Sequence, residues 1–356
     1  MFSSTRVRLM ATLASGVVAT GALTGCSVIG VGGDDAGESA DRVVLVTHDS
    51  FALPDAVIAS FERESGLELV LRPSGDAGTL NNKLVLTRDR PTGHVAFGVD
   101  NTFAGRALAE GVFASYAADL PPGAEAYRLP GDDDDRLAPV DTSNVCVNVD
   151  DTWFAARGEE PPATLADLAM PAYRDLLAVP GATTSSPGMA FLLATIAEFG
   201  DEWPAYWSDV VDNGAKLTDG WSDAYQVEFT QGGGNGKRPI VVSYDSSPAF
   251  TLDDKGGSTT SALLDTCFRQ VEYAGVLDGA ENPDGARQLV DFLLSDEVQA
   301  ALPESMYVFP VASNVDLPAD WARFAVQPSQ AYEVDPAEIE ENRDAWLREW
   351  SDVTSR

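Results

Sequence analysis

The segment Ser185-Ser186-Pro187-Gly188 carries the residues of a helix start that can also bind an anion. Ser at the N-cap and Pro at the first helical position are strong signals for such a start. The free N–H groups and the two hydroxyls together form a site for a phosphate or a carboxylate. Plain helix capping explains the same residues and, on this segment alone, is the simpler interpretation.

A second segment, residues 219–225, combines two aromatic rings with carboxylates. Trp221 and Tyr225 are four positions apart, so they share a face on a helix, and Asp219 and Asp223 lie beside them. Stacked rings with nearby carboxylates suit a flat cation, because cation–π contacts contribute about 0.5–2 kcal/mol. Two core aromatics beside exposed acids fit the same spacing, and both interpretations stay open here.

Catalytic signatures are weak. The two histidines, His48 and His94, have no nucleophile motif beside them, and no pair among the 56 acidic residues stands out as a hydrolytic dyad. The glycines at 232–236 lack the Gly-Lys-Ser/Thr ending of a phosphate-binding loop. The sequence therefore favours binding over catalysis, and we expect no metal and no cofactor.

The elements that position these segments alternate in an α/β pattern. Short apolar strands are predicted at residues 43–46, 67–71, 95–99, 145–149, 176–179 and 241–244. Helices are predicted at residues 54–65, 79–87, 189–199 and 336–352, with a further start at 164–168. Ligands bind at the carboxyl ends of parallel strands, where polar clusters follow at residues 48–50, 74–79, 100–102 and 245–248.

Composition restricts the partners. The chain has 56 acidic and 23 basic residues, a net charge of −33, which repels nucleic acid and anionic lipid. Cys146 and Cys267 invite a disulfide in an oxidising compartment, and two buried thiols are the alternative. Without paired histidines, these cysteines do not indicate a zinc site.

The N-terminus resembles a bacterial lipoprotein signal. Arg6 and Arg8 precede an apolar stretch that ends in Leu23-Thr24-Gly25-Cys26. The resemblance implies a signal peptide over residues 1–25, a lipid on Cys26 and a flexible tether over residues 26–41. An ordinary secretory signal with an incidental cysteine is the alternative. We therefore expect an extracytoplasmic protein that touches the membrane only through its lipid anchor.

Together the segments resemble the thiamine-binding receptors of bacterial ABC importers. The matching stretches, in the family's order, are residues 48–51, 98–101, 184–188, 220–225, 243–249 and 307–311. Gly-Trp-Ser-x-Ala-Tyr at 220–225 is the most specific of them. The resemblance implies an α/β periplasmic-binding fold of type II, with two lobes that each have a mixed sheet flanked by helices. The lobes would comprise residues 42–140 and 141–247, with 248–356 returning to the first.

The resemblance also implies a monomeric receptor, not an enzyme, that hands thiamine or its phosphate esters to a permease and its ATPase. The helix start at Ser185 would meet the hydroxyethyl or phosphate end, the aromatic residues would line the cleft, and Asp49 and Asp100 would meet the cationic rings. The full set of expected ligand-binding residues is Asp49, Ser50, Asp100, Asn101, Ser185, Ser186, Gly188, Trp221, Tyr225, Tyr244, Asp245, Ser247 and Tyr307.

Three positions depart from the family's pattern. His48 stands where Tyr is common, Tyr307 where Trp is expected, and Asp245 where Thr is common. An extra carboxylate at Asp245 would disfavour a phosphate tail, so we expect free thiamine. The alternatives are a receptor for ferric iron or a polyamine, an extracellular hydrolase, and an adhesion lipoprotein. Iron receptors of this fold usually use adjacent tyrosines, and the chain has no Tyr-Tyr pair.

Overall fold

The computed structural model describes residues 41–355. The predicted signal peptide, the lipidated Cys26 and the tether up to residue 40 lie outside the described residues. None of the helices in 41–355 combines the length and the apolar character needed to cross a membrane.

Nine strands form one curled, mixed sheet in the described chain. The strands are β1 (Arg42–Thr47), β2 (Glu68–Pro73), β3 (Val95–Asp100), β4 (Ala138–Asp150), β5 (Leu177–Pro180), β6 (Lys216–Thr218), β7 (Ile240–Tyr244), β8 (Thr260–Val276) and β9 (Phe309–Pro310). Their order is β2-β1-β3-β8-β4-β7-β5-β6, with β9 paired to β4. Strands β1, β2 and β3 are parallel to one another, as are β5, β6 and β7. Strands β4 and β8 run antiparallel to their neighbours.

Helices cover both faces of this sheet. They are α1 (Asp55–Ser65), α2 (Ala77–Leu86), α3 (Ala104–Ala109), α4 (Asp151–Arg157), α5 (Ser186–Phe199), α6 (Trp203–Asp212), α7 (Pro283–Leu293), α8 (Asp296–Met306), α9 (Ala319–Phe324) and α10 (Pro336–Thr354). Parallel strands need a crossover, and α1 and α2 supply the first two. Helix α1 ends at Gly66, whose φ of 72° gives the left-handed cap that glycine adopts without strain.

The buried apolar residues of the described chain form four clusters, and the two largest define two lobes. One core joins β1 and β3 to α7 and α8 through residues such as Val43, Phe97 and Leu289. The other joins β5 and β7 to α5 and α6 through residues such as Phe191 and Trp207. The long strands β4 and β8 pass through both lobes, so they are the connection about which the lobes can rotate.

A disulfide joins these two connecting strands. Cys146 on β4 is bonded to Cys267 on β8, and both are buried. The ladder between β4 and β8 shifts register between Val145 and Val147, beside the bridge. The bond therefore fixes the two strands to each other where the lobes meet.

The expected α/β architecture is confirmed, and one local expectation needs correction. The helix expected to start at residues 164–168 is only a 3-10 turn, Ala166–Ala169. Met170 precedes Pro171 and takes an extended backbone, which stops the turn. Helices α7 and α8 lie in the first lobe's core, whereas α10 packs on the second lobe, where Trp350 meets Trp207 edge to face. Helices α7 and α8 thus belong to the segment that returns to the first lobe, and α10 is the C-terminal helix that packs on the second.

Candidate functional site

A cavity of about 370 Å³ lies between the two lobes. Its walls come from loops that follow the carboxyl ends of β1, β2, β5 and β6, where α/β folds bind ligands. The lining residues are Asp49, Gly75, Asp76 and Thr79 from the first lobe, and Thr184, Asp219, Gly220, Ser222 and Asp223 from the second.

The lobes touch across this cleft. The backbone N–H of Trp221 donates to Asp76 Oδ2 at 2.8 Å, and the backbone N–H of Thr79 donates to the Thr184 carbonyl at 3.2 Å. The hydroxyls of Ser50 and Ser222 are 3.1 Å apart. These contacts hold the two lobes together across the cleft.

Asp76 is a site residue that the sequence indicated only as part of the polar cluster at 74–79. It caps α2 by accepting the Ala77 N–H at 2.6 Å and also holds the Trp221 backbone. Burial raises its pKa, while the N–H groups of Trp221 and Ala77 work in the opposite direction. A single carboxylate thus joins the first lobe to the aromatic side of the cleft.

The expected aromatic residues form one largely buried cluster, the aromatic wall, directly behind the lining residues Gly220 and Ser222, and none of the four rings lines the cavity itself. Trp221 and Tyr225 stack with ring centroids 5.1 Å apart and planes at 12°. Tyr225 lies within a π-helical turn, Asp223–Glu228, and Trp221 comes just before it; this rare geometry is frequent at functional sites. Tyr244 lies 5.8 Å from Trp221, and Tyr307 meets Trp221 edge to face at 5.7 Å.

This wall is held in place by hydrogen bonds from behind. Trp221 Nε1 donates to Ser243 Oγ at 2.9 Å, and the Ser243 and Ser247 hydroxyls are 2.8 Å apart. Ser247 Oγ also accepts the Tyr244 N–H at 3.2 Å. The Tyr225 hydroxyl is buried and has no hydrogen-bond partner among residues 41–355. Burial raises its pKa, so Tyr225 remains a neutral donor at physiological pH.

The helix start at Ser185 is arranged for more than capping. Ser185 is the N-cap of α5, but its side chain makes no capping hydrogen bond. The hydroxyls of Ser185 and Ser186 are buried and make no well-aligned hydrogen bond in the described chain, but they lie near Asp76 and Asp100 and act to lower the pKa of those carboxyls. A Cβ on Gly188 would lie 2.4 Å from the Pro180 carbonyl oxygen, so only glycine lets the first turn of α5 pack on the end of β5. The structure thus leaves two buried hydroxyls at a helix N-terminus beside the cleft.

Of the expected ligand-binding residues, only Asp49 lines the cavity, and three others are engaged in internal hydrogen bonds. Asn101 bonds to β8 at both ends of its amide, through the Arg269 carbonyl and the Val271 N–H. Both oxygens of Asp245 accept hydrogen bonds from Asn144, at 3.1 Å from the N–H and 2.7 Å from Nδ2. Burial raises the pKa of Asp245 to about 6. Ser247, as described above, fixes its own turn.

Asp100 is fully buried beneath the cleft. Its Oδ1 accepts hydrogen bonds from the N–H and the hydroxyl of Thr102, whereas Oδ2 has no donor among the described residues. Burial raises its pKa to about 7. Asp49, by contrast, is exposed at the mouth of the cavity.

Two charged residues beside Asp100 carry no local sequence signal. Asp141 on β4 and Glu272 on β8 are buried, and His48 Nε2 lies 3.5 Å from Glu272 Oε1. The His48 ring reaches Glu272 because Gly98 has no side chain, since a Cβ there would lie 2.1 Å from His48 Cδ2. Only the register of distant strands brings these groups together.

The other histidine has a structural role. The Nδ1 atom of His94 accepts the Val44 N–H at 2.8 Å, and the residue lines a different pocket. Burial lowers its pKa, so it stays neutral.

Comparisons with known proteins agree with this geometry. The thiamine-binding periplasmic protein of Escherichia coli (strain K12) is 29% identical over 321 residues, covering 88% of this chain and 94% of that protein. The protein of the same name from Brucella melitensis is 29% identical over 332 residues, covering 90% and 94%. A solved periplasmic thiamin binding protein superposes with a TM-score of 0.78 at 28% identity, covering 88% and 96%.

More distant structures share only the fold. A ferric binding protein from Campylobacter jejuni has a TM-score of 0.68 at 16% identity and covers 88% of this chain and 99% of that one. The model of the family described as bacterial extracellular solute-binding protein matches residues 95–332, which is more than half of the chain. The chain belongs to this family of bacterial extracellular solute-binding proteins.

Proposed function

We propose that this receptor captures thiamine in the cleft between its lobes and delivers it to an ABC importer. The proposal rests on three groups that lie around one cleft. They are the stacked pair Trp221 and Tyr225, the carboxylate of Asp76, and the helix start at Ser185. The similarity to thiamine-binding periplasmic proteins over most of the chain supports the same ligand.

Each group matches one part of the ligand's chemistry. A flat, permanently cationic ring gains contact area and cation–π attraction on the faces of Trp221 and Tyr225. Asp76 offers a negative charge to that cation from the opposite lobe. The hydroxyls of Ser185 and Ser186 and the N-terminus of α5 can bind the polar hydroxyethyl tail.

Free thiamine is the preferred form in this proposal. The residues that line the cavity include four carboxylates, Asp49, Asp76, Asp219 and Asp223, and no Lys or Arg. Such a lining attracts a cation and repels a diphosphate. The preference therefore rests on these four residues, since both oxygens of Asp245 are occupied by Asn144.

The proposal extends to the cellular setting. A lipid on Cys26 would hold the receptor at the outer face of the cell membrane, with residues 26–41 as tether, and a monomer would suffice for delivery. We expect a Cys26→Ser variant to leave the membrane fraction, while a Ser27→Ala variant stays there. Recovery of the Cys26→Ser protein in the membrane fraction would rule out anchoring at Cys26.

The ligand class is tested by a tryptophan-fluorescence titration of the chain from Ser27. Thiamine, spermidine and ferric citrate are titrated in parallel, and free phosphate is assayed after incubation with thiamine diphosphate. We expect saturable quenching by sub-micromolar thiamine, weaker responses to the other two solutes, and no phosphate release. Tighter binding of spermidine or iron would reassign the receptor, and catalytic phosphate release would make it a hydrolase.

A further inference from the structure

Three buried carboxylates lie side by side across three neighbouring strands. Glu272 on β8 is directly opposite Asp100 on β3 in one ladder and directly opposite Asp141 on β4 in the other. Residues opposite each other in adjacent strands point to the same face of the sheet, with Cβ atoms roughly 4.5–5.5 Å apart. Their exposed fractions are 0% for Asp100, 1% for Asp141 and 4% for Glu272. We call these three residues the carboxylate row.

The groups around the row do not neutralise it. His48 is its nearest cationic partner, and both Asp76 and Asp49 also act on the charge of His48. Neither oxygen of Asp141 accepts a hydrogen bond from any residue that the structure describes, and both polar atoms of the Gln270 amide on β8 also lack partners there. On β7, Tyr244 faces Glu272 and Asp141, and Tyr273 faces Asp100 from β8. No cluster of side chains in residues 41–355 meets the requirements of a metal site.

Three adjacent carboxylates cannot all be ionised in a buried site that holds one imidazole. Glu272 is paired directly with Asp141 in the ladder between β4 and β8, which places the two carboxyl groups where they can share one proton. In the ligand-free receptor, the row must therefore carry at least one proton.

The carboxylate row interacts electrostatically with groups at the cleft. Burial is the main cause that raises the pKa of Tyr244, and the charges of Glu272, Asp76 and Asp141 raise it further. Tyr244 lies 5.8 Å from Trp221 in the aromatic wall. A positive charge bound against that wall acts on the same field.

We propose that the carboxylate row stores a proton in the ligand-free receptor and releases it to solvent when a permanent cation binds in the cleft. This inference rests on the proposed function and explains how the site would select its ligand. Because the bound cation replaces a proton, the site favours ligands with a fixed positive charge. An uncharged molecule of the same shape cannot drive the exchange.

The pKa directions agree with this exchange. Burial, followed by the charge of Glu272, raises the pKa of Asp141 well above its usual value, and burial raises that of Asp100 to about 7. For His48, burial opposes protonation, but the neighbouring carboxylates outweigh it and raise the pKa. A bound cation lowers these values, so protons leave on binding. The association constant then rises with pH, by at most tenfold per pH unit for each proton released.

The test counts protons by calorimetry on the mature chain from Ser27. Thiamine is titrated at pH 6, 7 and 8 in buffers of different ionisation enthalpy. We expect the wild-type chain to release a measurable fraction of one proton and to bind several-fold more tightly at pH 7 than at pH 6. Asp141→Asn should release less and bind thiamine several-fold more weakly, whereas Asp209→Asn, an exposed acid on α6, should match the wild type. Tight binding without proton release would overturn the inference and leave the receptor function standing.

A second measurement does not depend on the ligand. Carboxyl-carbon NMR of the ligand-free chain, with Asp141→Asn and Glu272→Gln for assignment, gives the pKa of the row directly. We expect at least one row carboxyl to titrate more than one pH unit above the reference of about 3.9–4.3. If thiamine fails to bind, the function falls, and this titration still decides whether the row stores a proton. Ordinary pKa values at all three carboxyls would refute the storage.

Discussion

The two walls of the cleft differ in chemistry. The second lobe supplies ring faces, with Trp221 and Tyr225 stacked and Tyr244 beside them. The first lobe supplies a carboxylate, Asp76, with the buried Asp100 below it. Ring faces bind many flat molecules through contact area, whereas carboxylates distinguish a cation from its neutral analogue. Selective capture of a flat cation therefore requires both walls, which the connecting strands β4 and β8 bring together.

The largest expected effect comes from removing the disulfide between β4 and β8, the two strands that connect the lobes. Replacing Cys146 and Cys267 with Ser should lower the free energy of unfolding by about 2–4 kcal/mol, because the bridge restrains the unfolded chain. Thiamine affinity should change only a few-fold, since neither cysteine faces the cleft. Chemical denaturation and calorimetry measure the two quantities. An undiminished stability would show that the bridge is dispensable.

The aromatic wall is broken by Trp221→Ala. We expect affinity for thiamine to fall by about 2 kcal/mol or more, roughly thirtyfold, as for a buried aromatic anchor. Trp153→Ala is the matched control, because Trp153 lies on α4 with its ring against Phe154 and not against the aromatic wall. Calorimetry of both variants gives the comparison. Equal affinities would remove Trp221 from the binding site.

The charged wall is altered by Asp76→Asn, which keeps an acceptor for the Trp221 N–H but removes the charge. We expect a loss of about 1.4 kcal/mol for thiamine, which is tenfold in affinity, and a smaller loss for a neutral analogue. Asp209→Asn, on the exposed face of α6 and outside the cavity lining, is the control. A tenfold loss for the neutral analogue as well would indicate that Asp76 acts by closing the lobes rather than by charge.

The last expected effect concerns the stability of the ligand-free protein as pH changes. Burial raises the pKa of Asp100 to about 7 and of Asp245 to about 6, above the roughly 3.9 of an unfolded chain. The folded state thus binds more protons, so its stability falls as pH rises from about 4 to 7. The pKa of His48 is also raised, so the stability that His48 contributes is likewise lost as pH rises through that pKa.

We expect these two carboxyls together to give a loss of about 3 kcal/mol between pH 5 and pH 7. Asp150, which has a lowered pKa, matters only below about pH 4. Thermal unfolding of the wild type and of Asp100→Asn measures the difference, and the variant should show the flatter profile. A stability that rises over this interval would contradict the assignment.

Local patterns predicted one wall of the cleft better than the other. Ser185 at the start of α5 and the pair Trp221 and Tyr225 lie within short stretches, where capping and helical spacing act over a few residues. The sequence also located the strands that precede Asp49 and Asp100. Their loops reach the cleft because parallel strands end at one edge of a sheet.

The carboxylate row could not be predicted in this way. Asp141 and Glu272 are far apart in the chain, and each lies inside a long strand whose pairing depends on the whole sheet. The role of Asp245 could not be predicted for the same reason, because its hydrogen bonds from Asn144 depend on the pairing of β4 with β7. Side-chain type was visible in the sequence, whereas the identity of the partner was set by register.

The most direct test of the central claim is a crystal structure of the mature chain with thiamine. We expect the cationic ring to lie against the faces of Trp221 and Tyr225, within reach of the Asp76 carboxylate. The hydroxyethyl group should lie at Ser185. Electron density for the ligand in that orientation would support separate roles for the two walls, contact with the ring faces and recognition of the charge. A ligand bound outside the cleft, or bound with its cationic ring away from both Trp221 and Asp76, would contradict it.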